Sequence, residues 1–583
     1  MGHNTTVLAV FRELIELTTL SEGSPQSFRV RAYERAAAAL AAETRDLSTL
    51  SLAQLKKIAG VGASAAAKVR EVVETGELNS VAALRERFPP DVVALSRVPG
   101  VGPKTVARLR DELDVHSIDD LEAAIAANRL RDLPGLGAKT EEKLSRTLAR
   151  VRRAGTMYRA PIARALPLAE GLAAALRALP EVQRVEICGS LRRYRETIGD
   201  VDLLVVSEEP LRVMAAFVAL PEVQDVVVMG PSKTSVVVRG DLQVDLRVVE
   251  AHQLGAAMMY FTGSKEHNIL LRQRALARGW SLNEYGLTDT ATGELVACAT
   301  EEEVYGALQL PFIPAPMRQG AGELDAAEAG ELPDLVAVDD LKGDLHVHST
   351  WSGDGRSPLA DVVAAAEARG YRYFSLTEHA EDLVMNGLDR EQLLRQREEL
   401  MALQEQHPGV HLLWGVELNI GRDGGLDYDP AFRAQLDWVV AAVHSHFDLT
   451  QAAQTRRILA AIADPHVDAI GHLSGRMIGK RPGMDLDIEE ILQALVHSGT
   501  ALELNAALPR LDAASEVLRR AGELGVTMVM STDSHHVRQF DRMRHGVQWA
   551  TRGWVDKRHV ANTWPKERFL GWLRDRRASA GVA

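Results

Sequence analysis

Two aspartates beside a Gly-Ser turn have the residue types and spacing that most directly indicate chemistry in this sequence. Asp200 and Asp202 lie in the stretch GSLRRYRETIGDVDLLV, residues 189–205. On a strand, residues two apart point to the same face, so both carboxylates can share divalent cations roughly 3.5–4 Å apart. Hard oxygen ligands suit Mg²⁺ or Mn²⁺, and the forked guanidinium groups of the neighbouring arginines suit a phosphate. The stretch therefore predicts metal-dependent nucleotidyl transfer.

Histidines and carboxylates at the ends of successive apparent strands form a second candidate site in the C-terminal half. They lie in the segments GDLHVHSTWSGDG (343–355), LTEH (376–379), GVE (415–417), VHSH (443–446), GH (471–472) and STDSH (531–535). His346 and His348 share one strand face, and the ends of barrel strands are where active sites assemble. A lone histidine is more often structural, but H-x-H and D-x-H pairs spread along a βα pattern predict a metal centre.

The elements that must position these residues belong to several domains. At 583 residues the chain is too long for one ordinary core, and a size of roughly 100–200 residues per domain predicts three or four. Its two cysteines, Cys188 and Cys298, cannot form a disulfide framework or a cysteine-rich zinc site. The amino terminus has no basic-then-apolar signal and no long apolar run follows it, so we expect a cytoplasmic protein with no membrane partner.

The net charge of −13, taken alone, argues weakly against a nucleic-acid partner, but the charges are unevenly distributed along the chain. Residues 1–160 contain 24 Lys and Arg against 20 Asp and Glu, so basic character is concentrated at the front of an acidic chain. A modestly positive N-terminal part can face a phosphate backbone, while the acidic remainder fits carboxylate-rich metal sites.

Three similar turns divide the N-terminal quarter, where apolar residues recur at helical spacing. They are IAGVGASAAAKV (58–69), VPGVGPKTVARL (98–109) and LPGLGAKTEEKL (133–144). Each presents backbone N–H groups at a helix N-terminus, where an anion is favoured. One such turn is compatible with a plain helix–helix connection, but three in register resemble helix-hairpin-helix motifs, which hold the DNA backbone without reading sequence. The resemblance assigns DNA binding to Gly60, Gly62, Lys68, Gly100, Gly102, Lys104, Gly135, Gly137 and Lys139.

Alternating and β-branched runs after residue 180 predict a mixed sheet that carries the aspartates. Residues 239–241 are the expected turn of a hairpin, and Asp245 lies on its returning strand. A third carboxylate thus reaches the sheet of Asp200 and Asp202. From Leu341 onward strands alternate with helices, as in a βα barrel or a doubly wound sheet.

The spacing from Gly189 through the aspartate pair to Asp245 and YFTGS (260–264) resembles the DNA polymerase X family, which includes polymerase beta, over residues 1–315. The segment YFTGSKEHNILLRQRALARGWSLNEYGL (260–287) also matches the nucleotide-facing and thumb segment of that family. The resemblance implies that Asp200 and Asp202 bridge two Mg²⁺ or Mn²⁺ ions, and that Asp245 binds the ion that activates the primer 3′-hydroxyl. The implied partners are gapped or primed duplex DNA and deoxynucleoside triphosphates.

The same resemblance implies a set of nucleotide-binding residues, namely Gly189, Ser190, Arg193, Tyr260, Phe261, Gly263, Asn268 and Arg272. The serine and arginine would hold the β- and γ-phosphates, and Gly189 would allow close backbone approach. The backbone of the YF-TG segment would obstruct a ribose 2′-hydroxyl, and Asn268 and Arg272 would contact minor-groove edges of the nascent pair. From spacing alone, core packing is the simpler explanation of the aromatic pair. Gln243 and residues 265–267 depart from polymerase beta, which leaves nucleotide affinity and the proton-acceptor network open.

Lys68 lies eight residues after Gly60, where polymerase beta has the lysine that forms a Schiff base with a 5′-deoxyribose phosphate. Ser64 replaces the neighbouring lysine of that pocket. Three arginines remain available to bind a 5′-phosphate: Arg29, Arg31 and Arg35. A catalytic lyase lysine and a phosphate-contacting lysine are equally compatible with the sequence.

The histidine-rich segments resemble the polymerase and histidinol phosphatase (PHP) domain, which is typical of bacterial polymerase X enzymes. The resemblance implies up to three Mn²⁺ or Zn²⁺ ions and metal-dependent phosphodiester hydrolysis. Carried over, the ligands are His346, His348, Glu417 and Asp533 for one ion, Glu417, His444 and His472 for a second, and Asp354, His379 and His535 for a third. Asp354 is the least secure ligand because Gly353 adds a residue before it, and Glu378 replaces the aspartate usual before the next histidine.

The fold class is therefore expected to be multidomain, with all-α helix-hairpin-helix domains, an α+β nucleotidyltransferase palm and thumb, and a C-terminal α/β PHP domain shaped as a distorted TIM-like barrel. The expected boundaries are 1–80 (lyase-like helical domain), 81–155 (helix-hairpin-helix domain), 156–317 (palm and thumb), 318–337 (acidic linker) and 338–583 (PHP domain). This combination predicts a monomeric, nucleoid-associated bacterial polymerase that fills short gaps in base excision repair and carries a manganese-favouring 3′→5′ exonuclease. Abasic-site endonuclease activity is an extension of that hypothesis. Two alternatives stay open: a DNA-binding repair scaffold with a structural PHP domain, and a template-independent or RNA-directed nucleotidyltransferase.

Overall fold

The computed structural model describes residues 3–579 except 42–44, 46, 97, 99, 134–135, 139, 143, 146–147 and 149–158. The chain falls into two compact units, Met1–Tyr158 and Arg159–Ala583. Two residues of the predicted DNA-binding set, Gly135 and Lys139, lie outside the described residues. Among the described residues, no helix combines the length and apolar character that a membrane span requires.

The first unit is helical in its described part. Its helices are α1 (His3–Glu22), α2 (Phe28–Ala41), α3 (Leu52–Leu55), α4 (Ala63–Thr75), α5 (Asn79–Arg87), α6 (Pro90–Ser96), α7 (Pro103–Leu113) and α8 (Ile118–Ala126), with 3₁₀ turns at Leu47–Thr49 and Leu130–Asp132. Apolar residues three or four apart, such as Val7, Phe11 and Leu14 of α1, point inward and are almost fully buried. One hydrophobic core extends from Val7 to Leu148, so the predicted domains 1–80 and 81–155 share their interior.

The second unit begins with a mixed sheet that corresponds to the predicted palm. Its elements are β1 (Ala160–Pro161), α9 (Ile162–Arg177), β2 (Arg184–Ile187), α10 (Gly189–Arg192), β3 (Thr197–Ile198), β4 (Asp200–Val206), α11 (Pro210–Val218), β5 (Val223–Met229), β6 (Lys233–Val238) and β7 (Leu242–Val249). The strand order is β2-β4-β7-β6-β5, in which β4 and β7 are parallel and the other pairs antiparallel. Along β7, buried apolar residues alternate with half-exposed polar ones, so one face packs on the core and Asp245 lies on the other.

The segment after the sheet forms the thumb. It contains α12 (Leu254–Thr262), α13 (Lys265–Leu276), β8 (Trp280–Asn283), β9 (Gly286–Asp289), β10 (Leu295–Ala297), α14 (Glu301–Ala307) and α15 (Glu323–Ala329), with 3₁₀ turns at Ala251–Gln253 and Ala315–Met317. The last helix lies in residues 318–337, the segment expected as an acidic linker. Leu324 and Ala327 join the thumb core, and the fully buried Arg318 pairs with Glu301. Leu332 and Leu335 also pack against this core, so the acidic composition concealed several inward-facing apolar residues and the segment packs as part of the thumb.

The C-terminal part is an α/β barrel of parallel strands. The strands are β11 (Tyr373–His379), β12 (His411–Asn419), β13 (Trp438–Ala442), β14 (Ala469–Ile470), β15 (Ala501–Asn505) and β16 (Met528–Ser531). The helices are α16 (Leu359–Ala368), α17 (Arg390–Gln406), α18 (Pro430–Arg433), α19 (Gln451–Ile462), α20 (Ile488–Ser498), α21 (Ser515–Leu524), α22 (Met543–Arg552) and α23 (Lys566–Ser579), and 3₁₀ turns lie at Val338–Asp340, Val537–Arg542, Lys557–His559 and Ala561–Thr563. The strands follow one another in chain order across the sheet, and their residues are buried on both faces because helices cover the outside.

An irregular segment, residues 342–348, closes this curled sheet. On one side it accepts backbone hydrogen bonds from β11, of which that from Thr377 to the Val347 carbonyl measures 2.9 Å. On the other side it reaches the end of β16, where the Asp533 amide donates to the His346 carbonyl at 3.0 Å. Phe569 of α23 stacks on Tyr373 and packs near Trp438 at the N-terminal ends of the strands. The opposite end, formed by the C-terminal strand ends, is the one that carries the histidines.

Candidate functional sites

The three aspartates of the palm lie on one face of two adjacent parallel strands. Asp202 of β4 is the register partner of Asp245 of β7, and Asp200 points the same way as Asp202 from two residues earlier. Burial, together with the neighbouring charges of Asp200 and Asp245, raises the pKa of Asp202 to about 7, and burial and Asp245 also raise the pKa of Asp200. Carboxylates this close repel one another in the ionised form, and divalent cations would remove that repulsion. The donor set therefore fits Mg²⁺ or Mn²⁺.

Two neighbouring side chains hold Asp245 from both sides. The ammonium group of Lys233 lies 2.6 Å from Oδ2 of Asp245, and Gln243 donates a hydrogen bond of 2.8 Å to Oδ1. Lys233, the first residue of β6, was not identified from the sequence. Because Ser235 pairs with Asp245 across the hairpin, Lys233 is its diagonal neighbour on the same face, and the predicted hairpin register could have identified it.

Gly189 packs directly against a carboxylate of the palm. A Cβ atom at this position would lie 2.0 Å from Oδ2 of Asp202, and the residue has a φ of +67°. The glycine thus makes room for the carboxylate of Asp202 and adopts a left-handed conformation that L side chains rarely take. The expected approach of the Gly189 backbone to a phosphate stays a prediction.

Ser190 and Arg193 offer hydrogen-bond donors that the protein leaves unused. The Ser190 hydroxyl and Nε of Arg193 are buried and have no partner among the described residues. Another nitrogen of Arg193 donates to the carbonyl oxygen of Thr262, and burial and the nearby Arg195 and Arg552 lower the pKa of Arg193 to about 10. Unpaired buried donors at a cationic position fit an anionic ligand such as a triphosphate.

Arg192, the neighbour of this pair, serves the fold. It forms a two-pronged ion pair with Glu301 at 2.6 and 3.0 Å and donates to the hydroxyl of Thr262 at 2.7 Å. Glu301 is also paired with Arg318, so one carboxylate joins α10 of the palm to the segment that begins at residue 318.

The predicted sugar- and base-facing residues gather at the end of α12 and the start of α13. Tyr260 is 37% exposed and meets Phe261 edge to face at 5.1 Å, so the tyrosine is not part of the core. Asn268 donates to the Tyr260 carbonyl at 2.8 Å, and Arg272 donates to the Asn268 carbonyl at 3.3 Å. Gly263, with a φ of +68°, lies beside the guanidinium of Arg193, which brings the phosphate and sugar sides of the predicted nucleotide site together.

His267, one of the departures from polymerase beta, is fully buried and lies outside this nucleotide site. Its two ring nitrogens lie 2.7 Å from Glu323 and 2.7 Å from the Tyr305 hydroxyl. The histidine therefore ties α13 to the segment that was expected as a linker. The contacts of His267 within the thumb explain why this chain has a histidine at a position where it departs from polymerase beta.

Glu417 is the centre of the predicted metal site in the barrel. Five histidine nitrogens approach its two carboxylate oxygens: His379 Nδ1 at 2.8 Å, His472 Nε2 at 2.9 Å, His444 Nε2 at 3.1 Å, His346 Nε2 at 3.4 Å and His348 Nε2 at 3.7 Å. Glu417 is 1% exposed and belongs to β12. His379, His444 and His472 lie at or just after the ends of β11, β13 and β14, while His346 and His348 lie in the segment 342–348. An isolated buried carboxylate is unfavourable, so this arrangement needs cations or protons among its members.

The remaining predicted ligands extend this cluster. His348 Nε2 lies 3.6 Å from Asp533, and Asp354 Oδ2 lies 3.4 Å from His379 and 3.5 Å from His535. Among the described residues, three groups have ligand atoms within 4.8 Å of one another: His346, His348 and Asp533; His348, His379 and His535; His379, Glu417 and His444. The nine predicted ligands thus come together. The structure differs from the predicted sets in that His348 and His379 each belong to two groups, whereas each was assigned to a single ion.

The unpaired atoms of the cluster fit metal binding. Both ring nitrogens of His348 are buried without a hydrogen-bond partner in the described structure. Burial and the neighbouring histidines hold the pKa of His348 well below its usual value, which keeps the ring neutral and able to donate a lone pair. Although burial opposes it, the charges of Glu417 and Asp354 raise the pKa of His379 to about 10, so a bound cation would displace a proton there.

Residues behind the ligands were missed by the sequence reasoning. Glu503 accepts from Nδ1 of His346 at 2.7 Å, and Asn419 lies 2.8 Å from Nδ1 of His444. Such partners fix the ring orientation of metal-binding histidines. Asn419 is the last residue of β12, so the rule that identified the ligands could also have identified it, whereas Glu503 lies in the middle of β15.

Glu378, the departure before His379, has a structural environment. It is fully buried and accepts hydrogen bonds from the hydroxyls of Ser349 and Ser352 at 2.5 and 2.6 Å as well as from their amides. It therefore holds the loop that leads to Asp354. Two ligands, His472 and Asp533, have positive φ values of 24° and 49°, a strained conformation that often marks functional sites.

In the first unit, two of the predicted DNA-contacting turns share one geometry. Gly60 and Gly100 have φ values of +93° and +92°, and Gly62 and Gly102 are the extended residues before α4 and α7. Neither of these helix starts has a side-chain cap, so their first N–H groups are available to an anion. The carbonyl of Gly137 accepts from Thr140 and Glu141, as at a helix start.

Lys68 of α4 faces α2 across the first unit. Its ammonium group lies 5.9 Å from the centre of the Tyr33 ring and 3.4 Å from the Ser80 hydroxyl. Of the three predicted phosphate-binding arginines of α2, Arg29 pairs with Glu22 at 3.3 Å and Arg31 contacts Gln26; Arg35 is exposed. A half-buried lysine beside an exposed cationic helix is compatible with either predicted role.

Matches to protein families follow the same order along the chain. Residues 2–78 match a helix-hairpin-helix domain, and residues 53–114 and 92–150 match a SAM-like helix-hairpin-helix tandem. Residues 257–319 match the DNA polymerase beta thumb, and residues 344–507 match the PHP domain.

Similar proteins align either with nearly the whole chain or with about a third to two fifths of it. A Bacillus subtilis protein named DNA polymerase/3′-5′ exonuclease PolX is 34% identical over 563 residues, which is 96% of this chain and 97% of the relative. A probable phosphatase of Vibrio campbellii is 28% identical over 244 residues, 40% of this chain and 93% of that protein. A probable phosphatase of Acetivibrio thermocellus is 31% identical over 211 residues, 34% of this chain and 83% of that protein.

Proposed function

We propose that the two sites of this chain, which belongs to the bacterial DNA polymerase X family, extend and shorten a DNA primer at its 3′ end. The chain is a DNA polymerase with 3′→5′ exonuclease activity, it binds DNA and deoxynucleoside triphosphates, and its activities depend on divalent metal ions. The observation that carries the proposal is the presence of two distinct ligand sets, three aspartates on a mixed sheet and nine residues gathered at one end of a barrel.

Asp200, Asp202 and Asp245 hold the Mg²⁺ or Mn²⁺ ions of the polymerase site in this proposal. When bound, the ions lower the pKa of the primer 3′-hydroxyl and neutralise charge on the triphosphate. Lys233 and Gln243 keep the carboxylate of Asp245 on the catalytic face of the sheet. The half-exposed side of the sheet admits the primer terminus.

The residues at the end of α12 select and hold the nucleotide. Arg193 and Ser190 bind the β- and γ-phosphates through the donors that the protein leaves unpaired. Tyr260 and Phe261 lie against sugar and base, and the backbone at Gly263 obstructs a ribose 2′-hydroxyl. Farther along, Asn268 and Arg272 contact the minor-groove edges of the new pair, where the exposed guanidinium of Arg272 faces solvent.

The first unit holds the DNA. Its uncapped helix starts after Gly62 and Gly102 bind backbone phosphates without reading sequence, and Lys104 lies exposed beside the second of them. A short gap in duplex DNA, with a primer 3′ end and a downstream 5′-phosphate, is the substrate we assign. The enzyme would act as a monomer in the cytoplasm, where the bacterial chromosome lies, and light scattering should give the mass of one chain.

The barrel site removes nucleotides in this proposal. Its nine ligands, His346, His348, Asp354, His379, Glu417, His444, His472, Asp533 and His535, would hold up to three Mn²⁺ or Zn²⁺ ions. When bound, the ions supply an activated water near neutral pH and stabilise charge on the attacked phosphodiester. Glu503 and Asn419 orient two of the histidines, and Arg510, whose Nε lies 3.2 Å from Asp533, stands at the edge of the site as a phosphate contact.

The two assignments are tested together by a manganese time course on a one-nucleotide gapped duplex, with and without nucleotides. Asp200→Ala/Asp202→Ala should abolish extension and leave shortening intact, because only the palm ions are lost. His346→Ala/His348→Ala should do the reverse. Full nuclease activity in the second variant would place the exonuclease elsewhere.

Lys68 is the nucleophile of a 5′-deoxyribose phosphate lyase in a further part of this proposal. Its half-buried amine beside Tyr33 and the exposed Arg35 of α2 supports that role. Borohydride should trap the wild-type protein on an incised abasic substrate, whereas Lys68→Ala should give no adduct. An equal adduct in the variant would leave Lys68 as a phosphate contact only.

A further inference from the structure

A four-residue turn of the palm, residues 193–196, connects the phosphate-binding residues to the catalytic strand. It follows α10, which carries Ser190, and it precedes β3 and then Asp200. Within the turn the Arg195 amide donates to the Ser190 carbonyl at 3.0 Å, and Tyr194 has a φ of +52°, which is uncommon for a bulky residue. The position of this turn therefore determines where Arg193 and Ser190 lie relative to the aspartates.

Three residues of the PHP domain contact this turn. Arg552, the last residue of α22, donates to the Arg193 carbonyl at 3.0 Å. His545 of the same helix shares a buried hydrogen bond of 2.8 Å with the Tyr194 hydroxyl. Arg476 donates to Glu196 at 2.8 Å. The backbone, the ring and the carboxylate of the turn are thus each held by the other domain.

The contacting residues are themselves fixed within the PHP domain. Arg476 also donates to the Arg510 carbonyl at 2.8 Å and contacts the Leu511 carbonyl. The guanidinium groups of Arg476 and Arg552 lie 5.5 and 5.9 Å from the ring centre of the fully buried Trp549. An arginine with several partners and an aromatic neighbour has little rotational freedom. The three residues therefore form a rigid support, which we name the turn clamp (Arg476, His545 and Arg552).

We propose that the turn clamp of the PHP domain positions Arg193 and Ser190 for the incoming triphosphate, so that the polymerase site depends on side chains from the other catalytic domain. This inference rests on the proposed function, because it assigns nucleotide binding to Arg193. The clamp residues touch neither nucleotide nor metal and act only through the turn. They are positioning residues of the polymerase reaction.

The clamp also lies close to the nuclease ligands along the chain. Arg476 is four residues after His472, and α22 begins eight residues after His535 with only a 3₁₀ turn between them. A general loosening of this region would thus affect the nuclease as well. A role restricted to the turn predicts that nucleotide binding changes while hydrolysis by the barrel does not.

The test uses the full-length protein with Arg552→Ala and Tyr194→Phe, each of which removes one clamp hydrogen bond. KM for the nucleotide in gap filling should rise about tenfold in Arg552→Ala, the effect expected for losing a charged hydrogen bond, with kcat changed less than twofold. Tyr194→Phe should raise KM by a smaller factor, and Arg552→Lys should restore part of the affinity because the ammonium group can still donate to the Arg193 carbonyl. Mn²⁺-dependent hydrolysis of bis-p-nitrophenyl phosphate should remain at the wild-type level in all three.

Arg544→Ala is the matched control. Arg544 lies on the same helix α22 and also reaches the palm, where it contacts Glu170 at 3.2 Å. In the described structure it forms no hydrogen bond or ion pair with residues 193–196, and its charge acts on Tyr194 and His545 only through space. It should leave KM for the nucleotide unchanged. If Arg544→Ala raises KM as much as Arg552→Ala, or if Arg552→Ala and Tyr194→Phe leave KM unchanged, the clamp has no positioning role. The proposed function fails separately, through extension that persists in Asp200→Ala/Asp202→Ala in the same assay.

Discussion

Gly189 and Asp202 are packed so closely that the polymerase site depends on the absence of a side chain at residue 189. A Cβ there would approach Oδ2 of Asp202 to 2.0 Å, and the φ of +67° adds strain for any other residue. We therefore expect Gly189→Ala to displace the carboxylate and to lower kcat for primer extension by about 100-fold or more, as loss of a metal ligand does. Primer extension and nuclease activity measured on the same preparation check this.

Gly171→Ala is the control for this exchange, because a Cβ at Gly171 in α9 meets no atom within 4 Å. It should leave both activities at the wild-type level. Wild-type extension by Gly189→Ala would show that Asp202 can move without harm. Loss of nuclease activity in the same variant would indicate general misfolding, so retention of that activity is part of the prediction.

Glu503 determines which nitrogen of His346 faces the metal centre. It accepts from Nδ1 at 2.7 Å and leaves Nε2 toward Glu417. Glu503→Gln keeps the volume but weakens this orientation, so the Mn²⁺ concentration for half-maximal nuclease activity should rise about 10- to 100-fold. Primer extension should not change. An unaltered Mn²⁺ requirement would contradict a role for Glu503 in orienting the ligand.

The residues that could be predicted from the sequence are placed by local strand geometry, whereas those that were missed depend on contacts between elements. Asp200, Asp202 and the barrel histidines could be predicted because strand alternation and strand ends place them by local geometry. Lys233 required the exact register of a hairpin, and the role of Gly189 required the position of a carboxylate on another element. Contacts of that kind depend on packing distances, which spacing in the chain does not specify.

At the scale of elements, residues 318–337 show how a buried charge network can turn an acidic segment into part of a domain. Arg318 is fully buried, and its ion pair with Glu301 brings the segment against α14. Glu301 also binds Arg192, so two guanidinium groups depend on one carboxylate that is 5% exposed. The acidic composition predicted a linker because charged residues are normally exposed to solvent. The buried ion pair of Arg318 and Glu301 is an exception to that rule, because each charge has a partner.

Glu301→Gln is expected to destabilise the second unit, because it leaves the charges of Arg192 and Arg318 without a counter-ion. Removing one partner of a buried ion pair costs about 3 kcal/mol, which should appear as a lower midpoint of urea unfolding. Glu302→Gln, an exposed neighbour on the same helix, provides the control and should change the midpoint little. Equal midpoints for the two variants would contradict the network.

At the scale of the whole molecule, the palm and the PHP domain form one folded unit. The contacts that join them connect residues far apart in the sequence, 359 positions between Arg193 and Arg552 and 374 between Glu170 and Arg544. Family resemblance predicted both domains and their order but carried no information on which side chains meet. The Tyr194–His545 and Arg476–Glu196 contacts follow from docking two surfaces, and no period or motif in either segment specifies that docking.

His545 makes this docking dependent on pH. Burial, together with the positive charges of Arg544 and Arg542, lowers the pKa of His545 to about 4, from an ordinary value of 6.5. The ring is therefore neutral in the folded protein, where it shares a hydrogen bond with the Tyr194 hydroxyl. The unfolded chain takes up the proton first as pH falls, so the stability due to His545 is complete above pH 6.5 and is lost progressively between pH 6.5 and 4.

From these two pKa values, the free energy of unfolding should fall by about 2 kcal/mol between pH 7.5 and pH 5 through this residue alone. His545→Gln cannot be protonated, so its urea midpoint should fall less than that of the wild type over the same range. Chelator-treated protein should be used for both, because the histidines of the metal centre titrate equally in the two proteins and then cancel in the comparison. If the midpoints of wild type and His545→Gln shift in parallel with pH, the neutral ring of His545 does not contribute to holding the polymerase and nuclease domains together.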